Sequence, residues 1–241
     1  MRMRKKKNGE ARLALCSELL FERPDEPMKD PGAAIGMPGA PVFLEIGAGK
    51  GGFATEMARR NDTVAYFAME RVTDCVVLGA EKAKSVLGND KQNLRFMIET
   101  ADNLTEIFDT GTVDAIFLNF SDPWSKKGYA KRRLTHKRYL AVYFNLLKDG
   151  GKIAFKTDND GLFDFSLEEI QQLGLEPSFV TRDLHASERM EGNVMTEYEK
   201  SFSDLGKNIN MLELVKPAGF NPEISPELKR GGRVRFLQGE D

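Results

Sequence analysis

FLEIGAGKGGF, residues 43–53, runs an apolar stretch into a cluster of glycines, Gly47, Gly49, Gly51 and Gly52, and reads as a strand, a tight turn and the start of a helix. Such a turn leaves backbone N–H groups at a helix N-terminus open to a ligand. Outward from it the chain alternates. Strands are expected at 42–46, 64–69, 93–99, 113–119 and 151–156, and helices at 52–60, 72–87, 103–109, 134–147 and 161–173. Short apolar strands separated by helices argue for a parallel sheet covered on both faces. The last two strands, 176–184 and 208–216, have only a mixed segment between them and suit an antiparallel edge pair. The expected fold is α/β and Rossmann-like: a mostly parallel seven-stranded sheet with helices on both faces and an antiparallel edge pair.

At 241 residues, 41% apolar and 30% charged, the chain can bury a full core and reads as one soluble globular domain. Residues 22–41 hold five of the ten prolines plus Gly32, Gly36 and Gly39, a composition that resists helix and strand. They read as a linker after a basic N-terminal arm carrying Arg2, Arg4, Lys5, Lys6 and Lys7. The expected organisation is therefore an arm and Pro/Gly-rich linker over 1–40, a main domain over 41–216 and a C-terminal tail over 217–241. No apolar run approaches the roughly 20 residues of a membrane-spanning helix, and the basic N-terminus lacks the apolar segment of a signal peptide. A cytoplasmic protein without a membrane partner is expected, as a monomer or a homodimer. Cys16 and Cys75 lie far apart, and His136 and His185 have no clustered partners, so neither a metal site nor a disulfide framework is expected.

The glycines satisfy two templates. Gly47, Gly49 and Gly52 spell the GxGxxG of dinucleotide sites, whereas Glu45 with Gly47, Gly49 and Gly51 spells the ExGxGxG of S-adenosylmethionine enzymes. Glu45 favours the second, because a carboxylate opposes an anionic pyrophosphate and attracts an ammonium and a sulfonium. Glu70 ends the second strand 18 residues past Gly52, near the roughly 20 expected of an acid that binds ribose hydroxyls. Thr100 or Asp102, after the third strand, is placed for the adenine.

The fourth strand exits at Asn119 into NFSDPWSKKGYAKRRLTHKR, residues 119–138. Strand ends of this kind bear ligands, which places Asn119 and Asp122 beside the cofactor. From Pro123 through Lys148 there is no acid, and Lys126, Lys127, Lys131, Arg132, Arg133, Lys137 and Arg138 form a positive surface suited to phosphates. Trp124 and Tyr129 offer stacking faces within it.

SDPWSKKGYAKRRL, together with EIGAGKG, FKTDN at 155–159 and TEYE at 196–199, resembles the signature of the bacterial tRNA (guanine-N7-)-methyltransferases, class I enzymes that use S-adenosyl-L-methionine. The resemblance covers about residues 1–216 and implies methylation of guanine N7 in the tRNA variable loop. It implies cofactor contacts at Glu45, Glu70, Thr100 and Asp122, with Asp122 also catalytic, and substrate contacts at Lys126, Asp158, Thr196, Glu197, Tyr198 and Glu199. The family usually has an acid or amide at the position of Thr100, and basic and histidine residues where this chain has Gly128 and Tyr129. TEYE also fits a helix-capping box, and Asp158 a helix cap. Two other readings stay open: a methyltransferase acting on another nucleic acid atom such as adenine N6, and a non-catalytic RNA-binding protein with a vestigial cofactor fold.

Overall fold

Residues Val42–Ile46 (β1), Ala65–Met69 (β2), Leu94–Met97 (β3), Val113–Asn119 (β4) and Leu147–Thr157 (β5) pair in parallel, as the alternating pattern requires. The computed structural model describes residues 8–88 and 93–229. The basic arm at residues 2–7 and most of the LKRGGRVR segment of the tail lie outside them. Sheet order is β3-β2-β1-β4-β5-β7-β6, with β7 (Asn210–Val215) antiparallel to both β5 and the short β6 (Phe179–Thr181). The expected seven-stranded class I methyltransferase architecture is therefore present. The last strands are shorter than their sequence pattern suggests, and β5 begins four residues early, at Leu147, where pairing with β4 shifts register.

The intervening helices are α3 (Gly52–Arg60), α4 (Thr73–Leu87), α5 (Leu104–Ile107), α6 (Lys137–Leu146) and α7 (Asp160–Gln172), preceded by α1 (Gly9–Ala14) and α2 (Pro31–Ala34). They bury two opposite faces. Alternate residues of β2 show why: Phe67 and Met69 join the core beneath α6 and α7, whereas Tyr66 and Ala68 join the core with α3 and α4. A strand buried on both sides must be apolar throughout, as AYFAM is. Among the described residues no helix is long and apolar enough to cross a membrane.

The stretch read as a linker is mostly irregular, but it is laid against the sheet. Leu20 bridges Phe96 on the open edge of β3, and Met28 bridges Phe108. Between these bridges Arg23 donates twice to Glu99 and once to Glu106, at 2.6–3.0 Å. At the other end of the chain, Leu228 is buried against the α6 side, and Asn145 Nδ2 donates to Pro222 O at 2.8 Å.

The glycine turn sets how close α3 and α4 lie to the sheet. Gly51 has φ of +66°, and a Cβ there would sit 2.7 Å from the Phe96 ring and 3.1 Å from Gly79 Cα. Gly79, inside α4, answers it: its own Cβ would be 2.9 Å from Phe96. Gly51→Ala should therefore cost about 1–3 kcal/mol through backbone strain and overpacking, read by urea unfolding. Gly128→Ala, with open space around it, should be neutral in the same measurement.

Candidate active site

Strand order reverses between β1 and β4, so their connections leave in opposite directions and open a crevice at the carboxyl edge of the sheet. Glu45, Glu70, Asn119 and Asp158 all stand at this edge. Glu45 is buried, and its Oε1 accepts from Asn119 Nδ2 at 2.9 Å. Its Oε2 is buried without a hydrogen-bond partner. Burial pushes the Glu45 carboxyl up to about 7, against the Asn119 hydrogen bond and the charge of Lys156, with Glu70 adding to the rise. A half-satisfied buried carboxylate of this kind is stabilised by a cation.

Glu70 secures the glycine turn from the neighbouring strand. Its Oε2 accepts from the Gly49 N–H at 3.0 Å and its Oε1 from the Val72 N–H at 2.8 Å. Gly47 and Gly49 take φ of +82° and +55°, and open space surrounds the Cβ position of Gly49. Thr100 follows β3 and accepts the Asp102 N–H at 3.5 Å, while Asp102 accepts from the Tyr139 hydroxyl at 2.7 Å. Glu99, held by Arg23, accepts the Thr100 N–H at 3.4 Å, so the N-terminal segment is tied to the end of β3.

Asp122 is held out by a constrained loop. Three non-glycine residues have positive φ among those described, and two of them, Phe120 (51°) and Trp124 (41°), bracket Asp122. The Phe120 N–H donates to Lys156 O at 2.9 Å, and the Phe120 ring stacks on Phe202 at 6.1 Å. Arg133 Nε and Nη2 donate to the carbonyls of Pro123 and Trp124 at 2.9 and 3.2 Å, with the guanidinium over Phe165. Arg133, expected among the phosphate-facing cations, is thus turned inward as the clamp of this loop. Asp122 itself is exposed, with Arg71 Nη2 3.8 Å away.

The segment Thr196–Glu199 divides in two. Thr196 caps α8 (Glu197–Ser203) by accepting the Glu199 N–H at 2.9 Å. Glu197 pairs with Lys82 and Lys50, and Tyr198 is exposed, stacked on Phe202. Glu199, expected at the substrate, is instead fully buried: it accepts from Lys156 Nζ at 2.7 Å and Asn193 Nδ2 at 2.6 Å, and meets His185 Nε2 at 3.0 Å. Burial opposes its charge, but Lys156, His185 and Asn193 outweigh that and hold the carboxyl below the usual range. Burial likewise draws the Lys156 ammonium down, against the pull of Glu199. Asp158 does not cap α7, since Asn159 does. It pairs with Lys207 at 3.0 Å and lines a cavity of about 500 Å³ with Asp160, Arg182, Lys207 and Asn208.

The basic stretch also divides. Lys126, Lys127 and Lys131 are exposed, Arg132 lies over Trp124 and Tyr129, and Arg138 bonds the Tyr139 hydroxyl at 2.7 Å. Sequence reasoning missed Arg71, Lys156, Gly79 and Arg23. A lysine inside the apolar strand IAFK and a glycine inside an otherwise regular helix were usable signals for two of them. Arg71 and Arg23 carried none.

Residues 39–212 match the family described as "Putative methyltransferase". The tRNA (guanine-N(7)-)-methyltransferase of Bacillus subtilis (strain 168) is 42% identical over 174 residues, 72% of this chain and 80% of that protein. The same-named protein of Geobacillus sp. (strain WCH70) is 40% identical over 217 residues, 90% of this chain and 96% of that one. Among solved structures, the 16S rRNA methyltransferase KamB aligns with a TM-score of 0.54 at 12% identity, over 90% of this chain and 96% of that one, which is a likeness of fold.

The raised pKa of Glu45 gives a stability signature. The unfolded chain ionises Glu45 near 4.3, whereas the folded protein keeps its proton until about 7. Stability from this group is therefore present below the unfolded value and lost as pH rises to about 7. Glu45→Gln should flatten that decline, measured as the difference between variant and parent urea midpoints at pH 5, 6, 7 and 8.

Proposed function

This chain belongs to the tRNA (guanine-N7-)-methyltransferase family, and from that footing we propose that it moves the methyl group of S-adenosylmethionine to N7 of a guanine in the tRNA variable loop, in the cytoplasm. One observation carries the reading: a buried, half-satisfied Glu45 and a glycine turn lie at the strand-order reversal that also presents Asp122. The residues fit the donor. Glu45 Oε2 suits an ammonium, Glu70 at the end of β2 suits ribose hydroxyls, and the open backbone at Gly47 and Gly49 admits a ligand without side-chain obstruction. Thr100 and Asn119 border the same crevice. When bound, S-adenosylmethionine supplies an electrophilic methyl group on sulfur.

Guanine N7 holds an in-plane lone pair and no proton, so no base is needed before attack. Asp122 accordingly orients rather than deprotonates. Its carboxylate accepts from guanine N1–H and the N2 amino group, and it stabilises the positive charge that develops on the ring. The loop around it supplies the rigidity: two strained residues and the Arg133 clamp hold the carboxylate out of the sheet edge, where among the described residues an exposed Arg71 at 3.8 Å is its ion-pair partner. Lys126, Asp158, Thr196, Glu197 and Tyr198 form the substrate side, with Lys127 and Lys131 on the RNA backbone. Glu199 supports this side from within by fastening α8 to β5.

Purified protein with labelled donor and unmodified tRNA should yield one reduction- and aniline-sensitive scission in the variable loop. Label on an adenine, or none at all, would sink the proposal. Asp122→Ala should lower kcat/KM on the order of 100-fold or more while donor affinity stays within a few fold by equilibrium dialysis. Replacing Lys126, Lys127 and Lys131 together by Gln should raise KM for tRNA and reduce the slope of log affinity against log salt by about 2–3.

A further inference from the structure

Beside Asp122, on the solvent side of the loop, three side chains form one assembly. The rings of Trp124 and Tyr129 meet edge to face at 5.9 Å and 77°. The Arg132 guanidinium covers both, 5.1 Å from the Trp124 centroid and 4.6 Å from that of Tyr129. Such a cluster would ordinarily be drawn into a core, yet Tyr129 is 42% exposed and no residue of the turn Lys127–Arg132 is buried. The assembly is also anchored from behind, since Arg133 holds the carbonyls of Pro123 and Trp124. Its surroundings are cationic, with Lys126, Lys127 and Lys131 exposed and no acid between Pro123 and Lys148.

An exposed Tyr129 ring backed by a part-buried Trp124, inside a cationic field, matches a single-stranded nucleic acid, whose phosphates answer the lysines and whose unstacked bases answer the open ring. We propose that Trp124, Tyr129 and Arg132 form a stacking site for an unpaired nucleobase adjoining the target guanine, and so fix the register in which that guanine reaches Asp122. This rests on the tRNA methylation reading and adds to it a binding site separate from the methyl-transfer crevice. Tyr129 supplies the open face. Arg132 braces both rings, so its role differs from the phosphate contacts of the neighbouring lysines.

Stacking and charge contacts differ in their dependence on salt, which makes the proposal testable. Tyr129→Leu keeps an apolar side chain without the ring. It should raise KM for tRNA about tenfold with unchanged salt slope and unchanged donor affinity, and Tyr129→Phe should restore the parent value. A tRNA carrying 2-aminopurine on either side of the target guanine should lose fluorescence at one of these positions on binding the parent protein and the Phe variant, but not the Leu variant. The site is refuted by a parent-like KM in Tyr129→Leu, by equal quenching in all three proteins, or by a shallower salt slope in Tyr129→Leu. Trp124→Leu provides a second reading, with donor affinity reporting that the crevice is intact. Failure of the underlying reading looks different, because the parent protein then methylates no guanine at all.

Discussion

A parallel sheet wound outward in both directions from its centre must part its connections at one place, and here that place lies between β1 and β4. Everything functional follows from the gap. Backbone that exits β1 has to turn at once into α3, which requires glycines at positive φ, and Glu70 from β2 ties that turn down through the Gly49 N–H. Asn119 from β4 reaches across to Glu45 on β1 and bridges the two sides. The price of the arrangement is a carboxylate deprived of water, with one oxygen, Glu45 Oε2, left without a hydrogen-bond partner.

The second polar centre obeys a different logic. Lys156 and Glu199 are both almost wholly removed from solvent, where each alone would be strongly disfavoured. Together with Asn193, the Val194 carbonyl and His185 they form a closed network in which all three protons of the Lys156 ammonium find an acceptor. Its geometric result is to tie α8 to the end of β5. Lys156 also accepts the Phe120 N–H through its carbonyl, so one residue joins the Asp122 loop to the helix bearing Thr196 and Tyr198.

Much of this was legible in the sequence. The alternation of short apolar runs with helical segments fixed the order and nearly the bounds of β1 to β4, because strands buried on both faces have no freedom to be polar. The glycine turn and the acids at the carboxyl ends of β1 and β2 were readable because their spacing is dictated by backbone geometry. What escaped were contacts between distant segments. Whether Glu199 faces a substrate or a lysine depends on how α8 docks, and TEYE carries no signal of that. Arg133 is one cation among seven in its stretch, and only the fold reveals that its donors are committed to two carbonyls. The proline-rich stretch 22–41 looked like a linker because Gly and Pro report local conformation and not tertiary docking; Arg23 and Met28 hold part of it against the body of the fold.

The two margins of the sheet are finished differently. Along β3, the Leu20 bridge and the Phe21 N–H to Phe96 O bond at 2.9 Å occupy part of the outer row of backbone groups. On the far side, β6 runs only from Phe179 to Thr181 and leaves little ladder to extend. Among the described residues, copies of the protein therefore find scant template for strand-to-strand pairing, the contact through which exposed sheet edges drive fibrous self-association.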